Sequence, residues 1–547
     1  MSLDQSGVLA GSSAHPKPQS ITYTYGTAGF RTNADVLDSV LYRVGLLAAL
    51  RSKNLGGKAI GVMVTASHNP ERDNGVKLVD PMGEMLVSTW ETYATRLANC
   101  STDSELVSTF QQIAGETQTD LMVPATVIYG YDTRPSCPSL VRALEDGLNA
   151  MDTKMFGAGL VSTPILHYLV RCTNTQGTEE AYGEPTIEGY YKKLAKAYTI
   201  LAKGRHLLPA LTVDCANGVG APVLKSFASH LSSNILPLIL SKDDTSTPGQ
   251  LNSNCGADYV KTQQRSPPGV QLIPNQRYCS FDGDADRIVF YYSDDENVFH
   301  LLDGDKIAGL SAGFIMDLVR DSGLEGLKVG VVQTAYANGA STKYLTDVLG
   351  VPVTCVPTGV KHLHHAAQSY DIGVYFEANG HGTVLFSPSS LSKISSHQPS
   401  TPSETQAISN LRALIDVINQ TVGDALSDML LVETVLLHRQ WSPSEWDKAY
   451  EDFSNRLVKV YVQDRLAFTT RDAERKVVTP EGLQVKVDEA VSQVEGGRSF
   501  VRPSGTEDCV RVYAEAKTRQ DADELAQKVA GIVFDLAGSG ERPSKFT

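Results

Sequence analysis

The strongest chemical signal in the sequence is an acidic cluster, FDGDADR, at positions 281–287. Its carboxylates, Asp282, Asp284 and Asp286, alternate with glycine and alanine and would repel one another without a cation. On a straight strand the outer two would lie roughly 13 Å apart, so the segment must curl to bind one ion. A few carboxylates completed by phosphate or water oxygens are typical of Mg²⁺, and the cluster predicts one such ion per chain.

An EF-hand loop is excluded for this cluster. Its sixth and twelfth positions would need glycine and glutamate, and here they are Arg287 and Ser293. A solvated acidic turn remains an alternative for the cluster taken alone.

A second candidate is the serine of TASHNP, at positions 65–70, which follows the apolar run KAIGVMV and so lies in a loop after a strand. The motif does not match the G-x-S-x-G elbow of hydrolases, and His68 is too close in sequence to Ser67 for the geometry of a triad. A plain turn is the alternative for this loop. Beside a bound cation, however, Ser67 can accept a phosphoryl group, because the cation tolerates the charge of about −1.5 to −2 on a seryl phosphate.

Two further loops could bind an anion and a sugar. RPSGTED, at positions 502–508, offers the guanidinium fork of Arg502, two hydroxyls, and a glycine that lets backbone N–H groups converge on a phosphate. EANGHG, at positions 377–382, follows an apolar strand, and Glu377 could accept hydrogen bonds from sugar hydroxyls. A surface turn is the alternative for the first loop, and a strand-to-turn transition for the second.

The elements that must position these loops alternate along the chain. Apolar runs at 58–64, 209–215, 328–334 and 371–378 each lead into a loop of small residues. Short apolar runs alternating with helical segments predict α/β domains with buried, mostly parallel sheets.

The end of the chain has a different pattern. It contains several strand-like segments, followed by a helix that begins near Thr518 and has Asp521 three residues later as a capping partner. This pattern predicts a smaller α+β domain. The segment 387–406 is rich in serine, proline and threonine and predicts a mobile surface loop.

Composition excludes several classes of function. The 547 residues are 41% hydrophobic and 20% charged, which predicts three to five ordinary domains, and the net charge of −14 argues against binding a nucleic-acid backbone. No apolar run is long enough for a membrane span, and the N-terminal segment does not resemble a signal peptide. The eight scattered cysteines predict reduced thiols. We therefore expect a cytoplasmic protein with a small-molecule substrate and with neither nucleic acid nor membrane as a partner.

The motifs together resemble the α-D-phosphohexomutase superfamily. YGTAGFR, TASHNP, DGDADR and RPSGTED occur in this order over nearly the whole chain, and EANGHG is similar to the eukaryotic branch that acts on N-acetylglucosamine phosphates. The resemblance implies an α/β fold: three mixed α/β domains of related topology plus a C-terminal α+β domain around a central cleft. The implied domains are residues 1–185 with the phosphoserine loop, 186–298 with the metal-binding loop, 299–425 with the sugar-binding loop, and 426–547 with the phosphate-binding loop.

The resemblance also implies roles for individual residues. Ser67 would be the phosphoserine and, together with Asp282, Asp284 and Asp286, a ligand of Mg²⁺. Lys77, Arg31 and His68 would be the other catalytic residues, with Lys77 as a proton shuttle. The residues implied for substrate binding are Glu377, Ala378, Asn379, Thr358, Gly359, Arg502, Pro503, Ser504, Gly505, Thr506, Arg511 and Arg287.

The implied reaction interconverts N-acetylglucosamine 6-phosphate and N-acetylglucosamine 1-phosphate through phospho-Ser67 and a bisphosphorylated sugar, and it supplies UDP-N-acetylglucosamine synthesis. Three alternatives stay open. A related mutase would act on glucose, mannose or glucosamine phosphates. A magnesium-dependent phosphohydrolase would need no second phosphate site, and a non-catalytic sugar-phosphate-binding protein would need neither Ser67 nor Lys77.

Overall fold

The computed structural model describes residues 5–232, 234–504 and 508–543. The chain divides into two compact units. The first extends to Asp303 and adds Asn379–Thr383 and Thr405–Ser444, and the second contains Gly304–Ala378, Val384–Glu404 and the chain from Glu445 onward. The four domains expected from the sequence divide the chain more finely, and their boundaries stay a prediction. Among the described residues, none of the helices combines the length and apolarity that crossing a bilayer requires.

The helices are numbered in chain order. The α-helices of the described ranges are α1 (Gln5–Ala14), α2 (Asp38–Asn54), α3 (Ser88–Asn99), α4 (Asp103–Glu116), α5 (Cys137–Asn149), α6 (Thr163–Thr175), α7 (Ile187–Ala202), α8 (Gly220–Ala228), α9 (Ala257–Gln263), α10 (Gly304–Asp321), α11 (Gly339–Lys343), α12 (Val360–Ala367), α13 (Pro388–Ser396), α14 (Pro402–Val417), α15 (Ala425–Arg439), α16 (Pro443–Asp447), α17 (Leu483–Ser492) and α18 (Arg519–Ala537). Short 3₁₀ turns occupy Ala34–Val36 and Arg465–Ala467, and a π turn occupies Tyr344–Val348.

The first sheet places the serine loop. Its strands are β1 (Phe30–Asn33), β2 (Ala59–Val64), β3 (Asp73–Val79), β4 (Thr126–Tyr131) and β5 (Lys154–Leu160). They lie in the order β1-β3-β2-β4-β5, with antiparallel pairs from β1 to β2 and parallel pairs from β2 to β5. All of β2 is buried, and α2 and α6 contact it, which is why its sequence is a continuous apolar run.

The second sheet repeats this arrangement and places the aspartate loop. Its strands are β6 (Leu211–Asp214), β7 (Leu238–Ser241), β8 (Tyr278–Phe281), β9 (Ile288–Ser293) and β10 (Phe299–Leu302). They lie in the order β10-β9-β8-β6-β7, again with two antiparallel pairs followed by two parallel pairs.

The third sheet follows the same principle. Its strands are β11 (Val329–Thr334), β12 (Val353–Val356), β13 (Ile372–Phe376) and β14 (Gly382–Phe386), in the order β12-β11-β13-β14, with β11 parallel to both of its neighbours. In all three sheets one candidate loop joins two strands that are neighbours in the sheet, namely β2 and β3, β8 and β9, and β13 and β14. This recurrence confirms the predicted related topology.

The last part of the chain is an α+β arrangement, as predicted. Its strands are β15 (Ser454–Tyr461), β16 (Thr469–Arg471), β17 (Lys476–Thr479), β18 (Arg498–Pro503) and β19 (Cys509–Ala516). An antiparallel sheet has the order β15-β19-β18, and β16 and β17 form a separate hairpin. Apolar residues of one sheet face, such as Val460 and Val512, share a core with Val529 of α18. Thr518 caps α18 by accepting a hydrogen bond from the backbone N–H of Asp521, which confirms the predicted capping.

The prediction of a mobile loop at 387–406 is wrong. The segment contains α13 and the beginning of α14. Ser387 caps α13 by accepting from the backbone N–H of Ser390, and each helix has proline as its first residue. Serine and proline are favoured at helix N-termini, so a composition typical of loops here marks two helix starts. Ile394, which is 1% exposed, gives α13 the apolar contact that the composition alone does not reveal.

Candidate active site

Ser67 lies in the loop between β2 and β3, in the first unit, and is 1% exposed. Its Oγ donates a hydrogen bond of 2.7 Å to Oδ2 of Asp282. Its backbone N–H donates to Oγ1 of Thr65 at 2.9 Å, and Thr65 donates to Asp132 at 2.7 Å. The φ angle of Ser67 is 52°, which is uncommon for a residue with a Cβ and is typical of functional loops. The loop therefore fixes the serine hydroxyl beside a carboxylate.

Two side chains that the sequence analysis did not single out hold the carbonyl groups of this loop. Nη2 of Arg134 donates to the carbonyl oxygens of Ser67 and Asn69 at 2.8 and 3.0 Å, and Nδ2 of Asn252 donates to the same two oxygens at 2.8 and 3.0 Å. Arg134 also pairs with Asp132 at 3.1 Å, with both side chains fully buried. Because removal of one partner would leave a buried charge uncompensated, this contact holds the loop firmly.

The three aspartates lie in the loop between β8 and β9, also in the first unit, and all are buried. The loop curls because the backbone N–H groups of Ala285 and Asp286 both return to Asp282, one to its carbonyl oxygen and one to its Oδ1, each at 3.1 Å. One carboxylate oxygen from each aspartate thereby lies within 4.8 Å of the others. The predicted curl of the acidic cluster is confirmed.

Gly283 lets the aspartate loop approach the serine loop. A Cβ built at this position would lie 2.6 Å from the carbonyl oxygen of Ser67 and 2.8 Å from Nδ2 of Asn252. Real Cβ atoms essentially never come so close to another heavy atom. The absence of a side chain at position 283 is therefore a condition for the hydrogen bond between Ser67 and Asp282.

Lys77 and Thr163 contact the aspartates from other elements. Nζ of Lys77, on β3, lies 3.3 Å from Oδ2 of Asp284 and 3.1 Å from Oδ2 of Asp286. Oγ1 of Thr163, at the start of α6, donates to Oδ2 of Asp284 at 2.6 Å. The structure thus brings the predicted Lys77 to the cluster and adds Thr163, for which no motif gave a signal.

The charges of the cluster perturb one another. Burial raises the pKa of Asp282 well above its usual range, and the nearby charges of Asp286 and Asp284 add to the rise. Burial would also raise the pKa of Asp286, but Lys77 and His381 outweigh this effect and hold that pKa well below its usual range. Burial lowers the pKa of Lys77, but Asp284 and Asp286 more than offset it and leave this pKa above its ordinary value. The cluster therefore stabilises positive charge.

Arg31, His68 and Arg287 lie beside the same loops. Nη1 of Arg31, on β1, is 3.2 Å from Oδ1 of Asn69. Nη1 of Arg287 donates to Nδ1 of His68 at 2.8 Å, and its Nε lies 3.8 Å from Oδ1 of Asp286. Burial, followed by the charges of Arg287 and Arg31, lowers the pKa of His68 to about 2. His68 is therefore a neutral acceptor that orients Arg287.

Part of the predicted sugar loop belongs to the first unit and contacts the aspartate loop. Oδ1 of Asn379 accepts a hydrogen bond from the backbone N–H of His381 at 3.0 Å. The carbonyl oxygen of Gly380 accepts from the N–H of Ile288 at 3.1 Å, and a Cβ on Gly380 would lie only 1.7 Å from the carbonyl oxygen of Ile288. Nδ1 of His381 lies 2.8 Å from the carbonyl oxygen of Asp286. His381, which lies in the EANGHG motif but was not predicted as a site residue, links the two loops.

The remaining predicted substrate residues belong to the second unit. Glu377 and Ala378 are half-buried and follow β13 directly. Thr358 and Gly359 precede α12, and Gly359 has a φ of 130°. Arg502, Pro503, Ser504 and Arg511 lie on or beside β18 and β19, where the N–H of Ser504 donates to the carbonyl oxygen of Cys509 at 2.9 Å. Gly505 and Thr506 lie outside the described residues.

Three cationic residues lie side by side on the antiparallel sheet β15-β19-β18 of the second unit, and we call them the cationic row. Arg502 on β18 lies directly opposite Arg511 on β19, and Arg511 lies directly opposite Lys459 on β15. Opposed residues project from the same face of a sheet, and like charges in that position repel unless an anion joins them. Lys459 was not predicted, although its alternation with valines in RLVKVYV places it on the face opposite the core.

One carboxylate contacts the cationic row. Oε1 of Glu474 lies 2.8 Å from Nε of Arg502, and its Oε2 accepts a hydrogen bond from the backbone N–H of Thr358 at 2.9 Å. Glu474 thereby joins two of the predicted substrate residues, and no motif predicts this contact.

The aspartate cluster fits a magnesium ion. Its donors are all carboxylate oxygens, which Mg²⁺ prefers, and their number leaves room for phosphate or water oxygens. Oδ1 of Asp284 is buried and, within the described part of the chain, has no hydrogen-bond partner. A buried carboxylate oxygen without a donor is costly unless a cation contacts it.

Models of two related families match successive parts of the chain. Residues 303–441 and 173–289 match the families described as phosphoacetylglucosamine mutase AMG1, domain III and domain II. Residues 457–532 match the phosphoglucomutase/phosphomannomutase C-terminal domain, and residues 45–99 and 91–178 match alpha/beta/alpha domain I of the same group.

Whole-length relatives carry the same name. The chain is 50% identical to phosphoacetylglucosamine mutase of Candida albicans, with 95% of this chain and 98% of the relative covered. It is 50% identical to the human protein of that name, with 99% of each covered, and 43% identical to that of Arabidopsis thaliana, with 97% and 98% covered.

Solved structures agree with these relatives. The structure of Aspergillus fumigatus N-acetylphosphoglucosamine mutase in complex with GlcNAc-6P and magnesium has a TM-score of 0.95 and 51% identity, with 98% of this chain and 99% of that chain covered. A substrate complex of N-acetylglucosamine-phosphate mutase has a TM-score of 0.93 and 49% identity, with 97% and 100% covered. At this identity and coverage, the chain belongs to the phosphoacetylglucosamine mutase family of the α-D-phosphohexomutase superfamily.

Proposed function

We infer that this protein is a magnesium-dependent mutase that interconverts N-acetylglucosamine 6-phosphate and N-acetylglucosamine 1-phosphate. The observation that carries the inference is the 2.7 Å contact between Oγ of Ser67 and a carboxylate of the three-aspartate cluster. A hydroxyl fixed beside a cation site is the arrangement that phosphoryl transfer to and from a serine needs. The names of the whole-length relatives support the sugar.

Asp282, Asp284 and Asp286 would hold the magnesium ion, together with the phosphoryl oxygens on Ser67. When bound, Mg²⁺ supplies charge stabilisation for the phosphoryl group in transfer. Arg31 and Arg287, which lie beside the same loops, add positive charge from the protein. The cations together offset the negative charge that a second phosphate would bring to the site.

The chain's own residues carry the steps of the reaction. Phospho-Ser67 gives its phosphoryl group to a sugar hydroxyl: the new P–O bond forms as the P–Oγ bond breaks, and the serine oxygen keeps the electron pair of the broken bond. Lys77, which the aspartates hold as an ammonium ion, would donate a proton to that oxygen and recover one from the sugar hydroxyl. Arg134 and Asn252 hold the serine loop while this happens. Lys77 stays the predicted proton shuttle, and its place beside the aspartates supports that role. His68 acts by orienting Arg287, since its Nδ1 already accepts a hydrogen bond.

A mutase must also hold the phosphate that is not being transferred. We assign this task to the cationic row, with Thr358, Gly359 and Ser504 as neighbours. The bisphosphorylated sugar turns end for end between the two transfers, so the subsite must accept either phosphate. A row of long cationic side chains recognises charge and shape rather than the sugar ring, which suits this requirement.

Asn379 is our candidate for selecting the 2-acetamido group. Its Oδ1 accepts a hydrogen bond from the backbone of His381, which leaves the Nδ2 group as a donor for an amide carbonyl. Glu377 is the matching acceptor for sugar hydroxyls. If the assignment holds, Asn379→Ser lowers the ratio of kcat/KM for N-acetylglucosamine 6-phosphate to that for glucose 6-phosphate. An unchanged ratio rejects this role.

The function is tested by following N-acetylglucosamine 6-phosphate with phosphorus NMR in the presence of Mg²⁺ and a catalytic amount of the bisphosphorylated sugar. We expect the 1-phosphate to form without release of inorganic phosphate. Steady release of inorganic phosphate would instead identify a phosphohydrolase, and binding without turnover would identify a non-catalytic protein. A faster reaction with glucose, mannose or glucosamine phosphates would identify the related mutases.

The cytoplasmic location of the protein stays a prediction. A cytoplasmic enzyme with a small phosphosugar as its partner fits the proposed reaction. The four-domain division and the roles of Pro503, Gly505, Thr506 and Ala378 in substrate binding also stay predictions.

A further inference from the structure

Glu474 stands at a position that the proposed reaction does not explain. It belongs to the second unit, at the tip of the hairpin between β16 and β17, and its side chain is 18% exposed. One carboxylate oxygen lies 2.8 Å from Nε of Arg502, and the other accepts from the backbone N–H of Thr358 at 2.9 Å. Both partners are residues that we assign to the subsite for the phosphate that is not transferred.

The hairpin tip is held in an unusual conformation to bring Glu474 there. Asp472, Ala473 and Glu474 have φ angles of 53°, 54° and 66°. Three successive non-glycine residues in the left-handed region are disfavoured, because each places its Cβ against its own backbone. Such a turn persists where other contacts define it, and here the contacts with Arg502 and Thr358 are on its last residue.

The contact between Glu474 and Arg502 acts on one side of the guanidinium. A guanidinium offers five N–H donors, and Nε is the donor on the inner edge of the group. Within the described residues Nε of Arg502 has no hydrogen-bond partner, so its 2.8 Å approach to Oε1 of Glu474 is an ion pair. This pair restrains the guanidinium by charge and leaves donors at the outer nitrogens for a second anion. Burial raises the pKa of Glu474, but the contacts with Arg502 and Thr358 outweigh it and leave this pKa below its ordinary value, so the carboxylate is charged at neutral pH.

We propose that Glu474 is a positioning residue for the phosphate subsite of the cationic row. By pairing with Arg502 and with the amide of Thr358, it holds a guanidinium and the backbone turn before α12 in place for one incoming anion. Without it, Arg502 would have to lose its side-chain freedom on binding, and the repulsion from Arg511 opposite it would push it away. This inference rests on the proposed function only for the identity of the anion.

Glu474→Gln tests the proposal, because the amide keeps the shape of the side chain and can still accept from Thr358 but loses the ion pair. Two measurements are made on the full chain: steady-state kinetics with N-acetylglucosamine 6-phosphate, and inorganic phosphate binding by calorimetry. We expect KM and the Kd for phosphate to rise about three- to tenfold, the cost of immobilising one flexible side chain, with kcat changed less than about twofold. Asp472→Asn is the matched control, because it removes the same charge from the same hairpin tip without touching Arg502, and both constants should stay unchanged.

A double-variant cycle separates positioning from a general structural effect. If Glu474 acts through Arg502, the variant with both Glu474→Gln and Arg502→Lys binds phosphate about as weakly as Arg502→Lys alone. Losses that multiply overturn the proposal. An unchanged or tighter Kd for phosphate in Glu474→Gln also overturns it, since the carboxylate would then be a bystander or a competitor of the anion. Phosphate binding is read without turnover, so a protein that lacks mutase activity refutes the proposed function and still leaves this inference open to the same test.

Discussion

The serine and aspartate loops of the first unit and the cationic row of the second differ in how they are built. Ser67 is 1% exposed and Asp284 is fully buried, and their loops are fixed by hydrogen bonds to main-chain atoms. Arg502 and Glu474 keep 19% and 18% of their side chains exposed and meet through long flexible side chains on a sheet face. Bond making requires atoms fixed to a fraction of an ångström, whereas an anion subsite that receives two different phosphates needs charge without rigid shape.

The largest expected effect tests the first of these regions directly. Ser67→Ala removes the only group to which we assign covalent transfer, so kcat for the interconversion should fall by at least about a thousandfold. Ser139→Ala, at an exposed serine of α5 whose Oγ donates to the carbonyl oxygen of Ser136 just before the helix, is the matched control and should keep full activity. Substantial turnover by Ser67→Ala would assign the chemistry to another residue.

The next largest effect is expected at the aspartate cluster. Asp284→Asn should lower kcat about a hundredfold to a thousandfold, because one charged ligand is lost, and chelation of Mg²⁺ should abolish the activity of the parent protein reversibly. Added Mg²⁺ should raise the melting temperature of the parent more than that of the variant, because the variant has lost one charged ligand. A parent whose melting temperature ignores Mg²⁺ would contradict the cluster as an ion site.

The cationic row should respond in KM rather than in kcat. Arg502→Ala removes charged hydrogen bonds to the phosphate that is not transferred, so KM should rise about ten- to a hundredfold with a smaller change in kcat. Arg471→Ala, on the exposed hairpin strand β16, serves as a control that should alter KM less than about twofold. A fall in kcat as large as that of Asp284→Asn would mean that the two regions do not divide their tasks as proposed.

The smallest effect is expected at the exposed end of the row. Lys459→Ala should raise KM about two- to fivefold at low ionic strength, and the difference should shrink as salt screens an exposed charge. Lys528→Ala, on the exposed side of α18, should show neither effect. Steady-state kinetics at two salt concentrations test this prediction. A rise in KM that does not depend on salt would place Lys459 in a buried contact instead.

The fold could be predicted from the sequence where an apolar run has one structural interpretation, a strand buried on both faces. The apolar runs that became β2, β6, β11 and β13 are continuous because both faces of these strands are covered, so their positions follow from composition alone. The two helices within 387–406 were missed because serine and proline favour helix starts as well as loops. The burial of Ile394, which distinguishes a packed helix from a loop, is a tertiary contact that composition does not reveal.

The site residues, too, could be predicted only in part from the sequence. Ser67 and the aspartates were predictable because their chemistry needs particular residue types in a short segment. Arg134 and Asn252 were not, because a side chain that binds carbonyl oxygens recognises atoms present in every residue and leaves no motif. Glu474 was missed for a related reason: Thr358 is 116 positions away, and Arg502 lies on β18, beyond helix α17.

The hydrogen bond between Ser67 and Asp282 spans 215 positions of the chain. At a synthesis rate of about 5–20 residues per second, the ribosome would finish the serine roughly 10–40 seconds before the first aspartate. The polypeptide emerging from the ribosome therefore carries a plain hydroxyl with no cation beside it, and two separately formed sheets must dock before any phosphoryl chemistry can begin. The protein therefore becomes catalytically active only in a late step of folding, and fragments that end before position 282 should have no activity.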